Sequence, residues 1–482
     1  MTSDPRSAVV VGAGPNGLTA AALLARAGWR VEVFERDALP GGAARSTAAL
    51  GPGTVVDLGA AGHAFGAASP VFRELELERH GLEWRHSRYP LAHPLPGRPT
   101  AVLHRGLEDT AAELGRDARA WRRIHSPLTA DMPAQLENLL GPMLRLPRHP
   151  LRLARFAPTA LAPAGLIARR CFAGAPARAL FGGSAAHAIA PLGHPFTGAF
   201  GALFGALGQT SGWPVARGGS QAIVDALVAV LHEHGGRIRT GVEVVDLREL
   251  PAADATVLNL TPAQVLRLRG PAIDGLRAGT ARRLGRWRYG VGVYKIDYLL
   301  AEPIPWSDPR SAEATTVHVI GGPGELERAE ALAAAGRMPD RPFVMVGQQQ
   351  VADPGRAGGT GYHVVWTYAH VPHGYEEPRE GEVIDLVERQ LERFAPGFRD
   401  TVVFRNATPP AALEAWDPNL IGGDVAGGAS TGLQALLRPG PTLDPYRLGP
   451  GLYLASASTP PGAGVHGMPG AWAARAALAD AP

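Results

Sequence analysis

The hydrophobic pattern of the chain is sharpest at its start. A β-branched run, VVV over 9–11, feeds the glycine-spaced turn GAGPNG over 12–17; an alanine- and leucine-rich stretch follows over 18–27, and a second β-branched run, VEVFE, occupies 31–35. The spacing predicts strand, helix and strand, with Gly28 where a helix wants a left-handed C-terminal residue. Further on, 70–75 starts a helix, 84–95 reads as strands broken by prolines, and 111–140 as two helices. The stretch 147–180 is cut by prolines into short apolar, arginine-bearing pieces. Phe196, Phe200 and Phe204 recur every fourth residue and predict one face of a helix, which could line a cavity or be plain core.

After the turn RGGSQ at 217–221, the pattern predicts a helix over 222–234, strands over 237–239 and 242–247, and a third strand ended by Pro262. From 282 to about 406 it changes to longer alternating strands. Val291, Val293, Lys295 and Asp297 share one face of a strand, and Tyr362, Val364, Trp366, Tyr368 and His370 share a face of another. An amphipathic helix follows over 382–394, and a strand over 451–455, a glycine-rich turn and a helix from about 471 close the chain. These patterns predict an α/β protein. Residues 1–75, 214–265 and 415–482 form a dinucleotide-binding domain, and 76–213 and 266–414 a mixed-sheet and helical substrate or cap domain.

The opening turn carries chemistry. Gly12 permits the tight turn, Gly14 lets backbone approach a pyrophosphate, and Gly17 lets the helix lie close on the sheet. The helix N-terminus, with Pro15 and Asn16, offers free N–H groups to phosphates. Glu35 ends the second strand, where an acid accepts hydrogen bonds from ribose hydroxyls and repels a 2′-phosphate, so FAD or NAD is favoured over NADP. Arg36 adjoins it. Gly42 and Ala43 double the chain back over the cofactor, and Arg45 is placed to reach a phosphate or the flavin edge. No second glycine fingerprint opens a βαβ unit, which argues against a separate nicotinamide domain.

Composition narrows the picture. A chain of 482 residues with 45% hydrophobic and 19% charged residues is globular and too long for one core. The net charge of +3 does not indicate nucleic-acid binding. One cysteine excludes a disulfide framework, a redox cysteine pair and a zinc–cysteine site, and no metal site is expected. A reducing, cytoplasmic compartment is therefore the expected home. The N-terminal apolar run holds the phosphate-binding glycines, so it does not read as a secretory signal, and no run of about 18 apolar residues spans a bilayer. The arginines of 147–180 are either a solvated basic face or a peripheral contact with the inner face of the membrane. All but one of the 47 basic residues are arginine; the exception is Lys295. A lysine amine, unlike a guanidinium, can lose its proton, so Lys295 is either a chance survivor or a place where that matters.

Several runs resemble the bacterial phytoene-desaturase-like FAD oxidoreductases: VVVGAGPNG over 9–17, DLGAA over 57–61, GWP over 212–214, GGSQ over 218–221, YKID over 294–297, and above all SASTPPGAGVHGM over 456–468. The resemblance covers nearly the whole chain and implies a glutathione-reductase-like FAD fold related to monoamine oxidases. It implies that Gly12, Gly14, Gly17 and Glu35 hold the ADP half, Gly42 to Arg45 follow the pyrophosphate and ribityl chain, Val242 and Val244 meet adenine, and Ser456, Val465, His466 and Met468 approach the flavin. Ala463 departs from the three glycines expected after TPP at 459–461, which puts substrate shape in doubt.

The expected function is an FAD-dependent desaturase or oxidase that moves hydride from a lipophilic or natural-product substrate to flavin N5, with reoxidation by oxygen, a quinone or a carrier. Lys295 is the candidate to hold a water or relay a proton, its alternative being a salt bridge with Asp297. His63 and His466, in glycine-rich turns, are either catalytic or bound to backbone. The rival readings are a flavin-dependent isomerase or cyclase without net oxidation, a non-catalytic FAD-stabilised interaction protein and, more weakly, an amine oxidase.

Overall fold

A computed structural model describes residues 5–481. Two sheets organise it. The first has six strands in the order 447–449, 452–454, 255–258, 7–11, 30–34, 237–239. All neighbours are parallel except the first pair. Ser7–Val11 therefore has its sequence neighbour Arg30–Phe34 on one side and the distant Ala255–Leu258 on the other. That reversal of strand order opens a crevice at the carboxyl ends of the strands, where open α/β sheets bind ligands.

The helix Pro15–Arg26 lies on this sheet with a glycine at the point of closest approach. A Cβ added to Gly17 would stand 2.0 Å from the Gly12 carbonyl oxygen. The final helix, Met468–Asp480, presses on it as closely, since a Cβ at Gly470 would stand 1.8 Å from the Asn16 carbonyl oxygen. Gly12 itself has φ +94°, open to glycine and strained for other residues.

The second sheet has seven strands in the order 402–408, 292–300, 363–371, 344–347, 316–319, 91–95, 98–103, mostly antiparallel. The helix Glu382–Glu392 covers one face, packing Val383, Val387 and Leu391 against Tyr298 and Val365. The other face looks toward the first sheet. The helices Ala118–Thr129, Pro150–Leu161, Ala164–Cys171, Ala175–Ala186 and Thr197–Gly208 wall one end. The α/β architecture expected from the pattern, a Rossmann sheet interleaved with a mixed sheet and helices, is the one observed.

Four local expectations are corrected. Residues 242–247 are not a strand: Val242 is tied to Glu35 by one backbone hydrogen bond of 2.8 Å, and Asp246 makes a single isolated bridge to Arg269, so the β-branched run extends no sheet. Phe196 is not on the aromatic helix face, because it sits before the helix at φ +72°. The span 111–140 falls into three helices, and the last helix begins at Met468 rather than near 471.

Candidate functional site

Between the sheets lies a cavity of about 780 Å³, within the range of about 300–1,000 Å³ usual for small-molecule sites. Its first end is the strand crevice. Gly12, Gly14, Pro15 and Asn16 line it with Glu35 and Arg36, and Gly42 faces Gly14 so closely that a Cβ there would stand 3.2 Å from the Gly14 Cα. The Glu35 carboxylate accepts the Ala13 N–H at 2.7 Å and the Asp37 N–H at 3.0 Å. Two donors thus hold it at the end of its strand, with lone pairs left for ribose hydroxyls. Val242 and Val244 line this end although they form no strand.

Asn259 and Thr261, which follow the strand Ala255–Leu258, complete the crevice with Trp416 and Asp417. None of these four was singled out from the sequence. The first two were within reach of it, since they end the strand that borders the switch point.

The middle of the cavity is walled by 58–66 on one side and by Ser456 and 461–466 on the other. Arg356, 1% exposed, fixes the first wall: it donates to Asp57 at 2.7 Å, to Asp353 at 3.0 Å and to the Ala216 carbonyl at 3.0 Å. The other Asp57 oxygen accepts from Ser46 Oγ and the Ser220 N–H, both at 2.7 Å. Burial alone would raise the Asp57 carboxyl; Arg356 and these donors bring it below its usual value.

The floor is the inner face of the second sheet, and strand register sets its order. Lys295 stands opposite Tyr368, Tyr368 opposite Met345, and Met345 opposite His318, one row across four strands. Asp297, Trp366, Gly347 and Thr316 make the next row. Lys295 is 3% exposed and ion-paired with Asp297, which is fully buried. Burial lowers the lysine and raises the Asp297 carboxyl to about 6, each opposed by the other's charge. The single lysine is thus both a cavity residue and the salt-bridge partner of Asp297.

His63 and His466 both line the cavity. Ser220 Oγ donates to the Ala60 carbonyl at 2.6 Å and so accepts from His63 Nε2 at 2.8 Å, which leaves His63 Nδ1 bare and without a partner. His466 Nδ1 accepts the Met468 N–H at 3.1 Å at the start of the final helix. Burial pushes both down to about 4, so they are neutral. Three expected cofactor residues stand off the cavity. Arg45 pairs with Asp37 at 2.7 Å and lies over Trp416, with its Nε unpartnered; Gly17 packs helix on sheet, and Met468 begins the final helix.

The residues present fit FAD. The facing glycines leave room for a pyrophosphate on backbone, and Glu35 suits an unphosphorylated ribose. Five buried polar atoms on the cavity wall have no partner: Asn16 Oδ1, His63 Nδ1, Thr261 Oγ1, Trp366 Nε1 and Trp416 Nε1. Such atoms are costly unless a ligand satisfies them. The cavity then runs beyond the central walls into an aromatic end at Phe65, Phe200, Phe204 and Trp213. Among the described residues no cluster suits a metal ion, and no helix is long and apolar enough to cross a membrane.

Comparison with known proteins agrees with this geometry. Residues 10–75 match the NAD(P)-binding Rossmann-like domain. The rat pyridine nucleotide-disulfide oxidoreductase domain-containing protein 2 is 26% identical, over 98% of this chain and 93% of its own length. Hydroxyneurosporene desaturase of Cereibacter sphaeroides is 33% identical over 54% of this chain and 57% of its own length. A putrescine oxidase solved with putrescine bound superposes with a TM-score of 0.63, at 16% identity and 98% coverage of both chains, a shared fold.

Proposed function

We propose that this chain is an FAD-dependent oxidoreductase that dehydrogenates an apolar substrate in the manner of the phytoene-desaturase-like enzymes, and that 1–75, 214–265 and 415–482 hold the cofactor while 76–213 and 266–414 shape the substrate site. The observation that carries the reading is one continuous cavity, with a dinucleotide crevice at one end, an aromatic chamber at the other, and a buried lysine–aspartate pair between them. The relatives named for oxidoreductase, desaturase and oxidase activity support it.

Flavin, when bound, supplies a two-electron acceptor that neither side chain nor backbone can replace. The chain supplies position, a dry chamber and a proton site. Lys295 Nζ and the Asp297 carboxylate share a proton in a low-dielectric site, so a proton lost by substrate has a buried acceptor, and the pair restores its charge balance by passing it on. The wall residues His63 and His466 are neutral and bound to Ser220 and to backbone, so they act as positioning residues.

Anaerobic mixing of the holo-protein with substrate tests the reading. Lasting loss of flavin absorbance near about 450 nm is expected. Lys295→Met should retain flavin and slow that bleaching on the order of a hundredfold. Turnover without lasting bleaching would assign a redox-neutral isomerase instead, and an undiminished rate in Lys295→Met would remove the lysine from the mechanism.

We also propose peripheral contact with an anionic membrane through 147–180 and the loop before it. Leu146 and Leu151 are 94% and 77% exposed, and Leu161 and Leu166 are exposed as well. Arg155 and Arg170 are exposed beside them and make no ion pair among the described residues. Apolar side chains flanked by unpaired arginines suit a headgroup boundary. Vesicles containing phosphatidylglycerol should bind the protein, and replacing Leu146 and Leu151 by glutamate should weaken binding at least about tenfold, from about 1.5–3 kcal/mol per buried leucine. Equal binding by the double variant would refute the contact.

A further inference from the structure

At the aromatic end of the cavity a histidine stands against apolar side chains. His187 follows the helix Ala175–Ala186 and lines the cavity with Phe65, Phe200, Leu203, Phe204, Trp213 and Met345. Its ring lies 4.7 Å from that of Phe204, nearly parallel, and 4.9 Å from that of Trp213. These two rings hold it in one orientation.

The ring is also held from behind. His187 Nε2 lies 3.0 Å from His318 Nε2, so one of the two nitrogens carries a proton and the other accepts it. His318 is fully buried, and its Nδ1 has no partner. A proton on that Nδ1 would be a buried N–H with nothing to accept it, whereas a bare Nδ1 is only an unused lone pair. Orphaned buried N–H groups are the rarer and more costly case. The proton of His318 is therefore assigned to Nε2, where it is donated to His187. His187 Nε2 is then the acceptor, and the proton of His187 is assigned to Nδ1.

No residue of the described protein accepts from His187 Nδ1, and this atom is not among the sealed, unpartnered ones. His187 thus faces the chamber as a neutral donor of fixed direction. Burial holds it neutral, pushing it down to about 3. The residues named beside it, Phe65, Phe200, Leu203, Phe204, Trp213 and Met345, carry no charge; Lys295, farther along the floor, is committed to Asp297.

We propose that His187 Nδ1–H, oriented by His318, recognises a single carbonyl or hydroxyl oxygen on an otherwise apolar substrate. The inference deepens the dehydrogenase reading, on which it rests, by naming the substrate class: a hydrocarbon skeleton with one acceptor oxygen, rather than a bare hydrocarbon, a carboxylate or an ammonium compound. A bare hydrocarbon would leave the Nδ1–H unpaired in the closed chamber. A site built around a donor discriminates against a ligand that lacks the matching acceptor for this reason.

The test is a matched pair of rigid probes, fluorenone and fluorene, which differ by the oxygen. Equilibrium dialysis against the holo-protein should show fluorenone bound about tenfold more tightly, the worth of one hydrogen bond. His187→Phe should weaken fluorenone to the level of fluorene while leaving fluorene unchanged. His187→Gln, whose carboxamide can still donate, should restore part of the preference. Unchanged circular dichroism and flavin content establish that both variants fold. Preference for fluorenone persisting in His187→Phe overturns the proposal, as does a wild-type protein that binds both probes equally or neither. Because the readout is binding, it is scored apart from flavin bleaching: a protein that discriminates by His187 but never bleaches would lose the dehydrogenase reading and keep this one.

Discussion

Replacing Arg356 by methionine is expected to lower the free energy of unfolding by about 3–5 kcal/mol, the usual cost of removing one partner from a buried ion pair. The size follows from what the guanidinium leaves behind. Asp57 is buried, and its Oδ2 has Arg356 as its charged partner at 2.7 Å. Asp353 and the Ala216 carbonyl lose a donor in the same change. Methionine fills much of the space, so the deficit is electrostatic rather than a void. Asp57 begins the wall at 58–66, so flavin content should fall as well. A second substitution, Asp57→Asn, should cost little in the Arg356→Met background, because the carboxylate it removes is already uncompensated. Urea unfolding of the four proteins measures the coupling; additive losses would show that the pair is not the source.

The second large effect is acid lability. His63, His93, His125 and His466 are buried and pushed down to about 4, His187 to about 3, and His318 well below its ordinary value, in each case chiefly by desolvation. The folded protein therefore refuses protons that the unfolded chain takes up below about 6.5. Stability is full above that pH and falls as pH drops toward the folded values, by up to about 1.4 kcal/mol per pH unit for each histidine. Asp297 works the other way: its folded value, raised to about 6, favours proton uptake by the native state and offsets part of one histidine. The net loss between pH 6 and 5 is on the order of 5 kcal/mol, comparable with the whole stability of many domains. Urea midpoints measured from pH 8 to 5 should hold to about 7 and then collapse. A midpoint that stays level from pH 7 to 5 contradicts the assignment of neutral buried histidines.

The two predictions draw on different reaches of the chain. The histidines could be counted in the sequence, but their burial could not. His318 reads as an alternating strand position and His187 as the end of an alanine-rich run; only packing puts one behind the other, 131 residues apart. Asp57 opens the DLGAA run at 57–61, but nothing in the sequence pointed to its pairing with Arg356, 299 residues away.

What the sequence determined by itself is what local geometry dictates. The run from Ser7 to Glu35 contains its own strand, turn, helix and ribose acid within one βαβ unit, so the glycine turn and the acid of the dinucleotide crevice were legible, while Asn259, Thr261, Trp416 and Asp417, which complete it, were not. Period-two alternation likewise placed Lys295 beside Asp297. The tertiary structure alone decided what lies across from that pair, because pairing register is set by burial of whole strands and not by any residue in them. It put Tyr368, Met345 and His318 in one row with Lys295, paired Arg45 with Asp37, placed Phe196 ahead of its helix, and turned His187 toward an apolar chamber. The glycine turn and ribose acid that mark the cofactor are written within one βαβ unit; the rest of the crevice and the substrate chamber exist only once distant strands and helices have met.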